Sequence, residues 1–184
     1  GGGETGEPVG TDVLVAVASG LVRLRDRHPR IQCLTNTVAQ PITANLLLAA
    51  GARVSMATHP GEVVDMTRTA DGLLINLGTL DTAREEAIGR LASGDGRLPG
   101  SVVLDPVFVE LSPLRLALAK TVIGRGGVIV KGNGRETAYL AAHIPDLATK
   151  VPAIASTGAV DVIMSARNRW RCANGHFWMS EVSG

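Results

Sequence analysis

A chain of 184 residues amounts to one domain, or most of one, and can bury a sizeable core without staples. With a formal net charge of +1 and only 3% aromatic residues it has no basic stripe interleaved with aromatics for nucleic acid, and no apolar run approaches the roughly 20 residues that cross a bilayer. Its two cysteines, Cys33 and Cys172, lack CxxC spacing, which argues against zinc and a disulfide framework and makes a reducing, cytoplasmic setting the expectation.

Apolar residues are mainly Ala, Val, Leu and Ile, alongside 22 glycines, a balance that suits an α/β domain with strands buried on both faces. Residues 1–10 are Gly-rich and apolar-poor. They do not read as a secretory signal, and are expected as a flexible tail preceding one domain over 11–184. Thr11 or Asp12 can cap a helix over 11–27, in which Val13, Val17, Leu21 and Leu24 repeat at helical spacing. His28-Pro29 ends it. Ile31 to Leu34 reads as a strand. A helix runs from about Pro41 through Ala50 and stops at Gly51. Ala52 to Met56 is the next strand, and Pro60 opens a helix whose buried face is Val63, Val64 and Met66.

Gly72 to Leu77 is a strand of fully buried type, followed by Gly78-Thr79 and a helix over about Asp81 to Leu91. A surface turn follows. Val102 to Leu104 is a strand ending in Asp105-Pro106, and a helix covers Pro113 to Ile123. Gly127 to Val130 is a strand ending in Lys131-Gly132-Asn133, then comes a helix over Arg135 to Ala142. Ala153 to Ser156 is a strand ending in Thr157-Gly158. The rest alternates and carries both tryptophans, which predicts two or three antiparallel edge strands with turns near Ala166 to Arg169 and at Asn174-Gly175. Repeated β-α units with a terminal hairpin predict a mostly parallel sheet covered by helices on both faces.

Ligands bind such sheets beyond the carboxyl ends of the strands. The pairs Gly78-Thr79, Asp105-Pro106, Lys131-Gly132 and Thr157-Gly158 would converge there. Asp105 could hold magnesium, and Lys131 could face a phosphate as a point charge. Glu136 falls in the first turn of a helix, where a carboxylate also favours the dipole. Each has a plainer alternative: a turn or cap for Asp105, a solvated lysine, a helix cap for Glu136, core packing for Met56. Asn36 and Asn45 need hydrogen-bond partners in their settings, from structure or from a ligand. None of the four histidines has metal-ligand spacing. No GxSxG elbow, Walker GxxxxGK or strand-following GxGxxG is present.

The densest stretch is Thr35 to Ala57, TNTVAQPITANLLLAAGARVSMA. Taken with INLGTL, VVLDPV, KGNGRE, STGAVDVI and NGH, in this order, it resembles the hydroxyethylthiazole kinase family over about residues 13–184. The resemblance implies a ribokinase-like, three-layer α/β/α fold with a mostly parallel sheet and an antiparallel edge hairpin. It implies a homotrimer that uses ATP and magnesium to phosphorylate the hydroxyl of 4-methyl-5-(2-hydroxyethyl)thiazole in thiamine salvage. A non-catalytic thiazole-binding relative, or a ribokinase-like kinase of another small alcohol, are the alternatives.

By resemblance, Asn36, Val38, Met56 and Gly78 line a thiazole pocket between subunits. Gly184 matches the glycine that opens the family's V-T/S-G-x-G-C motif. Lys131 stands where the family has an ATP-contacting arginine, keeping the charge but not the fork. Thr157 matches the ATP-binding threonine, and Asp105 and Glu136 match acidic, catalytic positions near magnesium and the phosphates. Asn45 is then expected to serve structure and LLLAAGA to be core helix. Three departures stand out. Phe108-Val109-Glu110-Leu111-Ser112 replaces a glycine-rich GAGAT-type turn. The span from Glu136 to Thr157 is short by about a helix. The motif bearing the family's catalytic cysteine and anion hole would follow Gly184, so the expectation is a longer polypeptide.

Overall fold

The computed structural model describes residues 7–8, 10–94 and 98–173. The elements run β1 (Glu7–Pro8), α1 (Thr11–Arg27), β2 (Arg30–Leu34), α2 (Gln40–Ala50), β3 (Arg53–Ser55), α3 (Val63–Arg68), β4 (Gly72–Asn76), α4 (Thr82–Ser93), β5 (Ser101–Asp105), a 3-10 turn (Val109–Leu111), α5 (Pro113–Gly124), β6 (Val128–Asn133), α6 (Gly134–His143), α7 (Leu147–Lys150), β7 (Ala153–Thr157), β8 (Asp161–Ser165) and β9 (Arg169–Cys172). They form one nine-stranded sheet in the order β1-β9-β8-β7-β6-β5-β4-β2-β3. The strands from β2 through β7 pair in parallel, and β8 and β9 pair antiparallel as the terminal hairpin.

Element bounds follow local chemistry. Pro41 and Pro113 stand in the first turns of α2 and α5, where the missing N–H costs nothing. Asp81 and Ser112 cap α4 and α5 by accepting from Arg84 and Arg115 N–H groups. Gly51, at φ 103°, ends α2 in the left-handed conformation that glycine takes freely. Its missing Cβ also lets Arg25 of α1 approach, since that Cβ would lie 2.9 Å from the Arg25 Cα.

Right-handed crossovers assign the layers. The step from β2 to β3 runs opposite to the steps from β3 through β7, so α2 lies on one face and α3 to α7 on the other. The contacts agree: α1 packs on α2, α3 on α4, and α4 on α5. The core fills the second layer. Leu34, Ile75, Leu77, Ile88, Leu104 and Leu140 are among its fully buried side chains.

Four expectations change here. The strands are not all buried on both faces: in β5 and β6 buried residues alternate with more exposed ones, Val102 and Leu104 against Val103, and Val128 and Val130 against Ile129. The helical repeat of α1 and the LLLAAGA run of α2 do not enter the core. No α2 residue is buried, and Val17, Leu21, Leu46 and Leu48 are all about half exposed or more. A 3.6-residue repeat identifies an apolar face but not what covers it. The segment after Pro60 is a turn, and α3 begins only at Val63, burying Val63 and Thr67. Within the expected tail, Glu7 and Pro8 pair in parallel with Trp170 and Arg171. The expected turn at Asn174-Gly175 lies outside the described residues.

Candidate active site

Parallel strands deliver their carboxyl ends to one edge, and six of them bring predicted residues there. After β2, Asn36 is buried at 8% exposure. Its Oδ1 accepts the Ala39 N–H at 2.8 Å, which fixes the turn into α2. Its Nδ2 donates across to Asn76 Oδ1 at 3.4 Å. Asn76 ends β4, and its Oδ1 also accepts the Gly78 N–H at 2.9 Å. A Cβ on Gly78 would stand 2.9 Å from Asn76 Oδ1 and 3.1 Å from Asn36 Nδ2. Glycine is needed at 78 for the two asparagines to meet. Asn76 was not singled out from the sequence, although an amide closing the apolar strand GLLIN is itself a signal of a polar partner at that edge.

Arg84 is the other residue that sequence reasoning passes over. It sits in α4 as one of several charges, yet it is buried at 2% exposure. Its guanidinium donates to the carbonyls of Gly78 (2.7 Å) and Thr79 (2.8 Å) and to that of Asn76. Burial lowers its pKa, Asp81 opposes that shift, and Arg115 adds to it. The loop it holds includes Thr79 at φ 44°, a left-handed conformation outside the usual preference of threonine.

On the next two strands the register pairs Leu104 with Val130. Asp105 and Lys131 therefore follow side by side on the same face, and Lys131 Nζ reaches Asp105 Oδ2 at 3.2 Å. Lys131 lies within β6, which continues to Asn133, rather than just past its end. Glu136 is buried and forms a capping box with Asn133. Oε2 accepts the Asn133 N–H at 2.7 Å, and Oε1 accepts the Phe108 N–H at 2.8 Å. One carboxylate thus joins the loop after β5 to the start of α6. Gly132 makes room, because its Cβ would meet Glu136 Oε2 at 2.9 Å. Thr157, closing β7, donates its hydroxyl to the Gly132 carbonyl at 3.2 Å.

The remaining predicted residues are less engaged. Val38 is exposed, and Met56, just past the edge strand β3, is half-buried. Asn45, expected to hold structure, is exposed on α2 instead. Gly184 lies outside the described residues. Among the described residues no group of three or more His, Cys, Asp or Glu side chains is arranged to hold a metal. Burial pushes the Cys33 thiol up to about 11, which leaves it inert and agrees with its place in the core. A cavity of about 540 Å³ lined by Lys120, Ile123, His143 and Lys150 opens at the ends of α5 and α6. That is the opposite edge of the sheet, and none of the predicted residues lines it.

This arrangement can be set against known proteins. The model of the hydroxyethylthiazole kinase family matches residues 21–145. A probable hydroxyethylthiazole kinase of Agrobacterium fabrum is 38% identical over 89% of this chain and 64% of its own length. The hydroxyethylthiazole kinase of Serratia proteamaculans is 33% identical, over 91% and 71% respectively. This chain thus spans about two thirds of the length of these relatives. Among solved structures, the hydroxyethylthiazole kinase protein of Pyrococcus horikoshii superposes with a TM-score of 0.75 at 30% identity, covering 92% of this chain and 71% of that one. A ribokinase-like superfamily protein of Enterococcus faecalis, at TM-score 0.55 and 13% identity, shares the fold. The match covers β2 through α6, the elements that bring Asn36, Gly78, Asp105, Lys131 and Glu136 to one edge, and the chain belongs to the hydroxyethylthiazole kinase family.

Proposed function

We propose that this chain supplies the alcohol-binding half and part of the nucleotide site of a kinase that moves the γ-phosphoryl group of ATP to the hydroxyl of 4-methyl-5-(2-hydroxyethyl)thiazole. The observation that carries this is the Asp105–Lys131 ion pair at the carboxyl edge, in a chain of this family. In the reaction the alcohol oxygen forms a bond to the γ-phosphorus, the bond from that phosphorus to the ADP oxygen breaks, and the hydroxyl proton leaves. Catalysis of such a step is mostly positioning and charge stabilisation.

Asn36, Val38, Met56 and Gly78, with Gly184, are assigned to the thiazole. Lys131 faces the phosphates as a point charge, and Thr157 lines the nucleotide. Magnesium takes one or two carboxylates and fills its shell with phosphate and water oxygens. Asp105 fits that need, being partly exposed and, among the described residues, engaged at Oδ2 by Lys131. Glu136, whose oxygens already accept two backbone N–H groups, serves by holding the surrounding loops and by its charge beside them. Bound magnesium supplies neutralisation of the phosphate charge. This chemistry suits the cytoplasm, where ATP and thiamine salvage meet.

The purified full-length protein should release ADP only when both the thiazole alcohol and magnesium–ATP are present. Calorimetric binding of the alcohol without any ADP release would overturn the kinase assignment.

A homotrimer belongs to the same proposal. The helices α1 and α2 leave Leu14, Val15, Val22, Ile42, Leu46 and Leu48 exposed, and apolar side chains gathered on adjoining helices are the kind of surface that marks a protein contact. The two helices are tied together at their ends by a 2.8 Å hydrogen bond between His28 Nδ1 and the Gly51 carbonyl. Sedimentation should give three copies, and Leu46→Glu should shift the protein to monomer. A wild-type monomer would remove the trimer.

A further inference from the structure

The turn after β5 has two adjacent non-glycine residues in the left-handed region, Val107 at φ 26° and Phe108 at φ 52°. A Cβ crowds the backbone there, most of all when it is branched. Such backbone persists where its surroundings over-determine it, and it gathers at ligand clamps. Three anchors hold this one. Arg115 Nη1 donates to the Val107 carbonyl. Glu136 Oε1 accepts the Phe108 N–H at 2.8 Å. Val109, the next residue, is fully buried.

All three anchors grip the turn beside the Phe108 ring and not the ring itself, which is 55% exposed. The fold therefore draws little from that ring, and a glycine would take the same backbone without strain. The turn leaves the carboxyl end of β5, beside the site described above. Val107 Cγ1 lies 3.4 Å from where a Gly78 Cβ would be. Asp105, paired with Lys131, is three positions back. A large flat side chain, kept at conformational cost in a turn that leaves the carboxyl edge and left half open, is free to meet a ligand bound beside that turn.

Resting on the kinase reading of this site, we propose that Phe108 is a specificity-determining residue: a fixed aromatic wall that packs on the planar ring of a heteroaromatic alcohol and limits the substituents that ring can carry. Glu136 and Arg115 set the wall's position through the backbone.

The test compares Phe108→Gly and Phe108→Tyr with wild type on two alcohols, the thiazole alcohol and an analogue whose 2-position carries a propyl group. Phe108→Gly removes wall and strain together, so its melting temperature should hold or rise. Its KM for the thiazole alcohol should rise about 5- to 10-fold, the scale of a lost aromatic pair, with kcat and the KM for ATP little changed. The propyl analogue should gain relative to the parent, and Phe108→Tyr should restore the wild-type preference. An unchanged ratio between the two alcohols in Phe108→Gly would overturn the inference. Should wild type turn over neither alcohol, the kinase reading itself fails. The same ratio is then read from calorimetric binding, where a shift in Phe108→Gly supports the wall and an unchanged ratio overturns it.

Discussion

Replacing Arg84 by methionine should lower the melting temperature by about 6–20 °C, the equivalent of ~3–5 kcal/mol in a chain of this size. Methionine matches much of the arginine volume, so the expected loss is not a cavity. It comes from the carbonyls of Asn76, Gly78 and Thr79, which all receive the guanidinium, the first two in buried bonds and the third in a part-buried one. Each buried acceptor left without a donor costs about 1–3 kcal/mol. Water can reach some of them once the loop loosens, which keeps the total below a simple sum. The same carbonyls flank Gly78, so the change should also disturb the Asn36–Asn76 contact. Arg84→Lys should fall between, since one ammonium cannot span three carbonyls that a planar fork reaches together. Urea unfolding of both variants checks this. A melting temperature within about 1 °C of wild type for Arg84→Met would show that the guanidinium does not hold the loop.

Arg84 also marks where the sequence stops being legible. In TAREEAIGRLAS it stands among surface charges, and only the fold shows the tight turn from β4 folding back beneath it. Strands and helices were readable because apolar runs such as GLLIN and VVLD are punctuated by Gly, Asp and Pro, and these residues end elements for local reasons. Burial of α1 and α2 was not readable, because an apolar stripe has the same spacing whether or not a core covers it. The site divides along the same line. That Asp105 and Lys131 share an edge follows from strand order. That they touch follows from register, which pairs Leu104 with Val130 and depends on contacts far apart in sequence. Glu136 reads equally well as cap and as ligand-facing acid. The structure shows the cap with Asn133 and adds a reach to Phe108 N–H that no local pattern encodes.

On the kinase reading, Asp105→Asn should reduce kcat by about 100- to 1,000-fold, the scale of losing one preorganised charge contact at a reacting centre. The substitution is nearly isosteric and keeps an amide oxygen that can still accept from Lys131. It removes only the negative charge, which is the property that a hard cation and its bound phosphates require. Stability should change little. The pair is partly solvated, with Lys131 46% and Asp105 18% exposed, and an ion pair of that kind contributes about 0–1 kcal/mol. A melting temperature within about 4 °C of wild type, together with unchanged calorimetric affinity for the thiazole alcohol, would separate lost chemistry from lost structure. Lys131→Gln supplies the second arm. If Lys131 serves the phosphates, its variant should raise the KM for ATP while leaving that for the alcohol alone. If it serves only to neutralise Asp105, the double variant should be no worse than Asp105→Asn. A kcat within threefold of wild type for Asp105→Asn would move the reacting centre away from the β5–β6 edge, because no other carboxylate among the described residues combines that strand-end position with an oxygen free of the backbone and a lysine on the adjoining strand.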